Sequence, residues 1–268
     1  MRATPIEFAV FTKPWKTMPL PALGAFVKGM GFDGIELPVR PGYQVEPTNM
    51  GTELPKAVKT LAAEGIKIMS VAGTTDEATI AACAEAGVPI IRVCLDIPPG
   101  RAYLDHEAHI QGEYDRLGPL LERYGVTIGV QNHSGRYIAN AMGLRHLIER
   151  YAPAQVGAVL DPAHCALNGE IPALALDIVW SHLRMVNLKN VYWHRVNGPE
   201  AAVAHYERRW TSGSQGLCSW AMVVGELQRR DYTGPICLTA EYSAEDDVDR
   251  LIARDIQFAR SLFAEEKD

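Results

Sequence analysis

Met30-Gly31-Phe32 ends a predicted helix on glycine and begins an apolar strand at once. The same junction recurs three times in the first half of the chain, at Glu64-Gly65-Ile66, Ala86-Gly87-Val88 and Tyr124-Gly125-Val126. Glycine adopts the left-handed conformation that closes a helix without the steric cost of a Cβ atom. The four junctions therefore predict repeated helix-to-strand units, as in a parallel α/β fold.

Short runs rich in Val, Ile, Leu and Met alternate with segments of helical periodicity along the whole chain. This is the pattern of βα units, and we expect helices to fill the intervals. A doubly wound open sheet would use similar junctions, but a count of eight strands favours a (β/α)8 TIM barrel, formed by residues 1–268 as a single domain. The predicted strands are 6–11, 33–38, 66–72, 88–95, 126–132, 156–161, 183–189 and 235–241.

Composition is that of an ordinary globular protein and excludes several classes of function. Hydrophobic residues make up 47% of the chain, which is enough for a sizeable core without disulfides. The net charge of −6 and the lack of a large Lys/Arg cluster argue against nucleic acid as a partner. The first residues contain no apolar segment long enough for a signal peptide or a membrane span, so we expect a cytoplasmic protein with no membrane partner. The five cysteines are scattered, which indicates reduced thiols.

Two predicted connections, 39–53 and 190–216, are longer than a barrel requires. Both follow strand ends, where barrel active sites lie. The second contains two histidines, several arginines and Trp210. This composition suits a lid over a polar ligand, and equally a solvated loop or a contact in a homo-oligomer.

Polar residues cluster at the carboxyl ends of the predicted strands, where side chains of a barrel converge on one mouth. Asp161 and Glu241 follow apolar strands, and buried carboxylates are costly unless they are paired or bind metal. A divalent cation such as Mn²⁺, Mg²⁺, Co²⁺ or Zn²⁺ would resolve that cost. Ion pairs with Lys189 or Arg92 would do so as well, and the spacing leaves both alternatives open.

These strand ends resemble those of the xylose isomerase-like barrels, the sugar phosphate isomerase/epimerase family. The resemblance spans essentially the whole chain, and its value lies in the order and spacing of weak motifs. Glycine-rich residues also precede the last unit, at 213–217. The matching segments are Gly31-Phe32-Asp33-Gly34-Ile35-Glu36-Leu37, Gln131-Asn132-His133, Asp161-Pro162-Ala163-His164, Asn187-Leu188-Lys189-Asn190 and Glu241-Tyr242.

The resemblance implies a set of metal ligands, which are Gln131, Asp161, Asn187 and Glu241 in this chain. Gln131 and Asn187 replace a glutamate and a histidine of the family pattern, and Asn190 replaces an aspartate. With two anionic ligands instead of three, the affinity for the metal should be lower. Because a glutamine amide is no base near neutral pH, proton transfer between two glutamates cannot operate here.

The remaining pattern predicts a site with one base. Glu241 or His164 removes a proton next to a carbonyl, and Lys189 or the metal stabilises the resulting oxyanion. This chemistry suits an isomerase that acts on a small sugar, keto sugar or inositol derivative, and equally a lyase or dehydratase. The altered ligands also leave open a sugar-binding barrel without turnover. A related DNA endonuclease would need more metal ligands and a basic surface.

Further residues are candidates for binding the substrate. His133 and Asn132 follow the fifth strand, and Trp15 follows the first. An indole face suits the apolar side of a sugar ring, although Trp15 could equally belong to the core. The full set of predicted substrate-binding residues is His133, Trp15, Glu36, Arg40, Arg92 and Asn132.

Overall fold

A computed structural model of the chain describes residues 6–264. Eight parallel strands close into a barrel in the order β1-β10-β7-β6-β5-β4-β3-β2, with helices on its outside. The barrel strands are β1 (Phe8–Phe11), β2 (Gly34–Pro38), β3 (Lys67–Ala72), β4 (Ile90–Cys94), β5 (Thr127–Gln131), β6 (Val156–Leu160), β7 (Leu183–Leu188) and β10 (Ile236–Leu238). The helices are α1 (Leu20–Met30), α2 (Met50–Ala63), α3 (Glu77–Ala86), α4 (Tyr103–Tyr124), α5 (Ala141–Ile148), α6 (Pro162–Leu167), α7 (Pro172–Val179), α8 (Trp220–Arg229) and α9 (Val248–Ala264).

The predicted (β/α)8 barrel is confirmed, and each predicted strand contains one of the observed barrel strands. The glycines of the four predicted junctions all have a positive φ, at 99° for Gly31, 71° for Gly65, 72° for Gly87 and 65° for Gly125. This is the left-handed conformation expected where a helix stops before a strand. Local sequence thus determines where these four units end.

Successive side chains of a strand point alternately into the barrel and toward the helices. This alternation produces two apolar layers, one inside the barrel and one between the strands and the helices. Phe8 and Val10 of β1 face the helices, whereas Ala9 and Phe11 face the lumen. The lumen is filled by side chains and is a core, with no room for a pore. Its buried residues are Ala9, Phe11, Met69, Ala72, Ile90, Val159, Met185 and Cys237.

The long connection 190–216 does not contain a helix. It forms an antiparallel hairpin of β8 (Asn190–Arg195) and β9 (Tyr206–Thr211), in which Val191 pairs with Trp210 and Trp193 with Arg208. The alternating residues of Tyr206–Thr211 are mostly polar or charged, so no apolar run announces this strand in the sequence. The hairpin rises from the end of β7 and lies at the carboxyl-terminal mouth of the barrel.

None of the helices within residues 6–264 is both long enough and apolar enough to cross a membrane.

Candidate active site at the barrel mouth

The strand ends bring the predicted polar residues together, as the barrel geometry requires. Gln131 ends β5, Asp161 follows β6, Lys189 follows β7, and Glu241 follows β10 after a turn. In that turn Ala240 has a φ of 51°, a left-handed conformation that is rare for a residue with a Cβ atom. The backbone is therefore bent away from the strand direction directly before Glu241.

Lys189 lies between the two carboxylates of the site. Its Nζ donates to Glu241 Oε2 at 3.0 Å and lies 3.4 Å from Asp161 Oδ2. The Lys189 side chain is 5% exposed, and burial alone would lower its pKa. The negative charges of Asp161 and Glu241 outweigh burial and raise the pKa, so Lys189 is an ammonium ion.

Glu241 is the carboxylate of this group that solvent and substrate can reach, with a side chain that is 27% exposed. Its Oε1 accepts a hydrogen bond from Lys13 Nζ at 2.9 Å. Burial would raise the pKa of Glu241, but Lys189 and Lys13 lower it to about 2. The carboxylate is therefore ionised and held between two ammonium groups.

Asp161 is fully buried and accepts hydrogen bonds on both oxygens. Oδ1 accepts the backbone N–H groups of Ala163 and His164 at the start of α6, and Oδ2 accepts from Gln131 Nε2 at 2.8 Å. Burial raises the pKa of Asp161, and Lys189 opposes that effect. All partners of Asp161 are donors, which matches a carboxylate that serves as an N-cap and as an anchor for Lys189.

A chain of hydrogen bonds fixes the orientation of Gln131. Arg92 Nη1 donates to Gln131 Oε1 at 2.9 Å, and the Arg92 guanidinium also forms a buried ion pair with Glu36. Because an arginine can only donate, the amide oxygen of Gln131 must face Arg92 and its amide nitrogen must face Asp161. Asp161 is therefore held by a chain of buried contacts that runs through Gln131 and Arg92 to Glu36.

The two histidines of the site have defined tautomers. His133 Nδ1 lies 3.0 Å from the carbonyl oxygen of Ser134, so Nδ1 carries the proton and Nε2 is free to accept. His164 Nδ1 accepts the backbone N–H of Ser134 at 3.1 Å, so the proton of the neutral ring lies on Nε2. Burial, followed by Lys189, lowers the pKa of both rings, to about 4 for His133. Both histidines are neutral, and their rings are in contact at a tilt of 40°, with centroids 4.1 Å apart.

The hairpin covers these groups. The Trp210 ring lies 4.4 Å from Lys189 Nζ and packs edge-on against His164 at a centroid distance of 5.3 Å. Arg208 Nη1 donates to Ser134 Oγ at 3.0 Å. Trp210 is tied in turn to Ser243, just beyond Glu241, through two hydrogen bonds. Of the roles left open by the sequence, this contact pattern favours a lid over the site.

Of the other predicted substrate-binding residues, one lies at the barrel mouth and two are buried in the interior. Arg40 lies at the mouth with its guanidinium 5.7 Å from the Phe11 ring. Asn132 does not line the mouth, because its side chain is fully buried and exchanges two hydrogen bonds with the backbone of Asp161. Trp15 is also buried, donates to Asp249 and packs edge-on against Phe26, which favours the core alternative for this residue.

The arrangement of Gln131, Asp161, Asn187 and Glu241 does not fit a divalent cation. Gln131 turns an N–H group, not an oxygen, toward Asp161, and the Lys189 ammonium lies between the two carboxylates. Within residues 6–264 no group of three or more His, Cys, Asp or Glu side chains is placed to hold a metal ion. The donor set therefore favours the ion-pair alternative, in which Lys189 and Arg92 neutralise the buried carboxylates.

Sequence reasoning missed Lys13 and Ser134, and it gave Trp210 no position within the long connection. Lys13 stands two residues after β1 and was available from the same strand-end rule that selected Trp15. Ser134 lies one residue beyond the fifth-strand motif, and its role depends on backbone contacts that no pattern reveals. Trp210 stood out as an aromatic in the long connection, but only the hairpin pairing with Val191 places it over Lys189.

Comparison with known proteins supports the same family over most of the chain. Residues 25–262 match the family model described as "Xylose isomerase-like TIM barrel". No curated protein matches the sequence significantly.

Solved structures resemble the fold at low sequence identity. The apo form of 3-keto-D-glucoside 4-epimerase YcjR from E. coli is 14% identical, with a TM-score of 0.72 and coverage of 96% of this chain and 100% of that one. D-Psicose 3-epimerase from Clostridium cellulolyticum H10, with D-tagatose, is 12% identical, with a TM-score of 0.72 and coverage of 96% and 99%. The probable 3-DHS dehydratase AsbF from Bacillus anthracis is 12% identical, with a TM-score of 0.70 and coverage of 98% and 100%. At these identities the likeness concerns the fold alone.

Proposed function

This chain belongs to the xylose isomerase-like TIM barrel family, and we propose that it transfers a proton at the carbon next to the carbonyl of a small sugar, keto sugar or inositol derivative. The observation that carries the proposal is the contact of Glu241 with Lys189 at 3.0 Å. A reachable carboxylate then stands beside a buried ammonium ion. Those are a base and an oxyanion stabiliser, the two groups that enolisation requires.

Lys189 serves as the electrophile in this proposal. A substrate carbonyl oxygen that accepts a hydrogen bond from Lys189 Nζ competes with Glu241 for the ammonium. Negative charge then develops on that oxygen as the proton leaves the neighbouring carbon. An ammonium in a buried environment stabilises such charge far more than one in water, because little solvent screens it.

Glu241 serves as the base. In the free protein its pKa of about 2 makes it a weak one, since Lys189 and Lys13 both stabilise the carboxylate. A substrate oxygen that engages Lys189 removes one of these partners, and the basicity of Glu241 rises at the moment when the base is needed. Lys13 is 45% exposed at the side chain and can reorient with the substrate.

The histidines suit roles other than that of the base. His164 keeps its proton on Nε2 and uses Nδ1 to accept a backbone N–H, so no lone pair is left to take a proton from carbon. His133 Nε2 is an acceptor at the edge of the mouth and suits a substrate hydroxyl. We assign His133 to substrate binding and His164 to support of the site.

One base restricts the reaction. Epimerisation by proton transfer on opposite faces needs a second base, and Gln131 is an amide with both ends hydrogen-bonded. A carboxylate that shuttles one proton between adjacent carbons interconverts an aldose and a ketose. Loss of a hydroxyl group from the enolate would instead make the enzyme a lyase. The Lys13 ammonium, 2.9 Å from Glu241, favours this second function because it can act as the acid that protonates the leaving hydroxyl group.

The test is solvent deuterium incorporation into a panel of keto sugars and keto-inositols, followed by NMR. We expect exchange at the carbon next to the carbonyl in the wild type and a loss of at least 100-fold in Glu241→Gln. Glu245→Gln, an exposed carboxylate four residues away, should leave exchange unchanged. Tight sugar binding without exchange would instead indicate a binding protein.

A further inference from the structure

Lys189 lies at the point where the carboxylates of Asp161 and Glu241 converge. Its ammonium is within 3.4 Å of carboxylate oxygens from two strand ends, those of Asp161 and Glu241. The Trp210 ring covers the ammonium at 4.4 Å. The nitrogen is thus surrounded by two anions and an aromatic face, which are groups that select a cation.

The charges of the site are already balanced without a metal. Three carboxylates, Glu36, Asp161 and Glu241, face three cations, Arg92, Lys189 and Lys13. A divalent ion added to this group would leave a net charge of +2 in a poorly solvated place, where repulsion is screened weakly. Lys189 and a divalent ion therefore exclude each other.

Glu36 Oε2 and Asn187 Oδ1 are among the buried oxygens of this region that lack a hydrogen-bond partner. Asn187 Oδ1 is buried without a hydrogen bond, and Asn187 stands two residues before Lys189, on the same side of β7. Together with Asp161 and Glu241 it would supply three oxygen donors if the ammonium were removed. Carboxylate and amide oxygens are ligands that Mn²⁺ and Mg²⁺ accept.

We infer that the Lys189 ammonium is a tethered replacement for a divalent cation, so that the site works without metal and a single substitution at Lys189 opens a metal site. This inference concerns the same site as the proposed function and rests on it for the role of Lys189 in the reaction. The exclusion of metal by Lys189 stands without it.

The test is Mn²⁺ binding to chelator-stripped protein, measured by calorimetry and by electron paramagnetic resonance of free Mn²⁺. We expect the wild type to bind Mn²⁺ at least tenfold more weakly than Lys189→Ala, which should bind one ion. Lys16→Ala, which removes an exposed lysine from the segment after β1 but keeps Lys13 and Lys189, should behave like the wild type. Lys189→Ala combined with Asp161→Asn should lose the new site.

Several outcomes would overturn the inference. Equal affinity of wild type and Lys189→Ala would do so, whether both bind tightly or neither binds. Lys189→Met, which keeps an apolar stem, replaces the alanine variant if circular dichroism reveals that the latter does not fold. Tight stoichiometric binding by the wild type alone would also overturn it and needs no variant. Because no substrate is present, failure here is distinct from a failure to detect proton exchange.

Discussion

His133 is a residue whose environment opposes its own protonation. It is partly buried, packs against the tilted ring of His164 and lies near the Lys189 ammonium, and these surroundings lower its pKa to about 4. The neutral ring keeps Nε2 available as an acceptor, which is what binding of a substrate hydroxyl requires. Protonation of His133 at low pH would therefore remove this acceptor and also lower the unfolding free energy of the protein.

The stability of the protein should fall as the pH decreases from about 6.5 to about 4. Across this range the unfolded chain protonates His133 and the folded protein does not, so each pH unit costs about 1.4 kcal/mol of unfolding free energy. The contribution is complete above pH 6.5 and is lost as the pH falls through the folded pKa. Urea titrations of wild type and His133→Gln at several pH values should give slopes that differ by about this amount. Identical slopes would mean that His133 titrates normally in the folded protein.

Strand-end positions made the charged residues predictable, but not their partners. Asp161 and Lys189 follow strands directly and Glu241 follows β10 after a turn, and backbone geometry places such residues at the mouth. The orientation of Gln131 depends on Arg92, which lies 39 residues earlier in the sequence. The choice between a metal and an ion pair therefore needed the three-dimensional arrangement, since both alternatives use the same carboxylates.

At the scale of the elements, the hairpin β8–β9 depends on one side chain at its base. Asn190 Nδ2 donates to the carbonyl oxygens of Gly213 and Cys218, each at 2.7 Å, and Asn190 Oδ1 accepts from the backbone N–H groups of Val191 and Cys218. Asn190 is fully buried. Its side chain therefore joins the start of the hairpin to the segment that follows it.

Asn190→Ala should lower the unfolding free energy by about 3 kcal/mol, because buried backbone groups lose their partners. The amides of Val191 and Cys218 should also lose hydrogen-exchange protection, as the hairpin loosens over Lys189. Asn197→Ala, at the solvated tip of the hairpin, is the matched control and should change stability by about 1 kcal/mol or less, because water can replace its hydrogen bonds. Unchanged protection in Asn190→Ala would contradict the anchoring role.

The hairpin was the element that the sequence did not predict. Tyr206–Thr211 carries three charged residues and no apolar alternation, because one of its faces is solvated and the other meets polar groups of the site. Barrel strands such as β1 and β6, in contrast, are buried along their whole length and appear as continuous apolar runs. Periodicity identifies elements that build the core and misses elements that cover a polar site.

At the scale of the whole molecule, the glycine junctions and the count of eight strands were sufficient to predict the barrel. Four of the βα units end where glycine permits a left-handed residue, and eight strands in all close the sheet. The fold then fixes which ends of the strands carry the site. It does not fix the chemistry, which depends on a few side chains such as Gln131 and Lys189.

The most direct test of the account is solvent deuterium incorporation into keto sugars by the wild-type protein after complete removal of metal with a chelator. With Lys189 as the cation of the site, exchange next to the carbonyl should proceed at the same rate in chelator and after addition of Mn²⁺ or Mg²⁺. Exchange that appears only when a divalent ion is added would contradict the account.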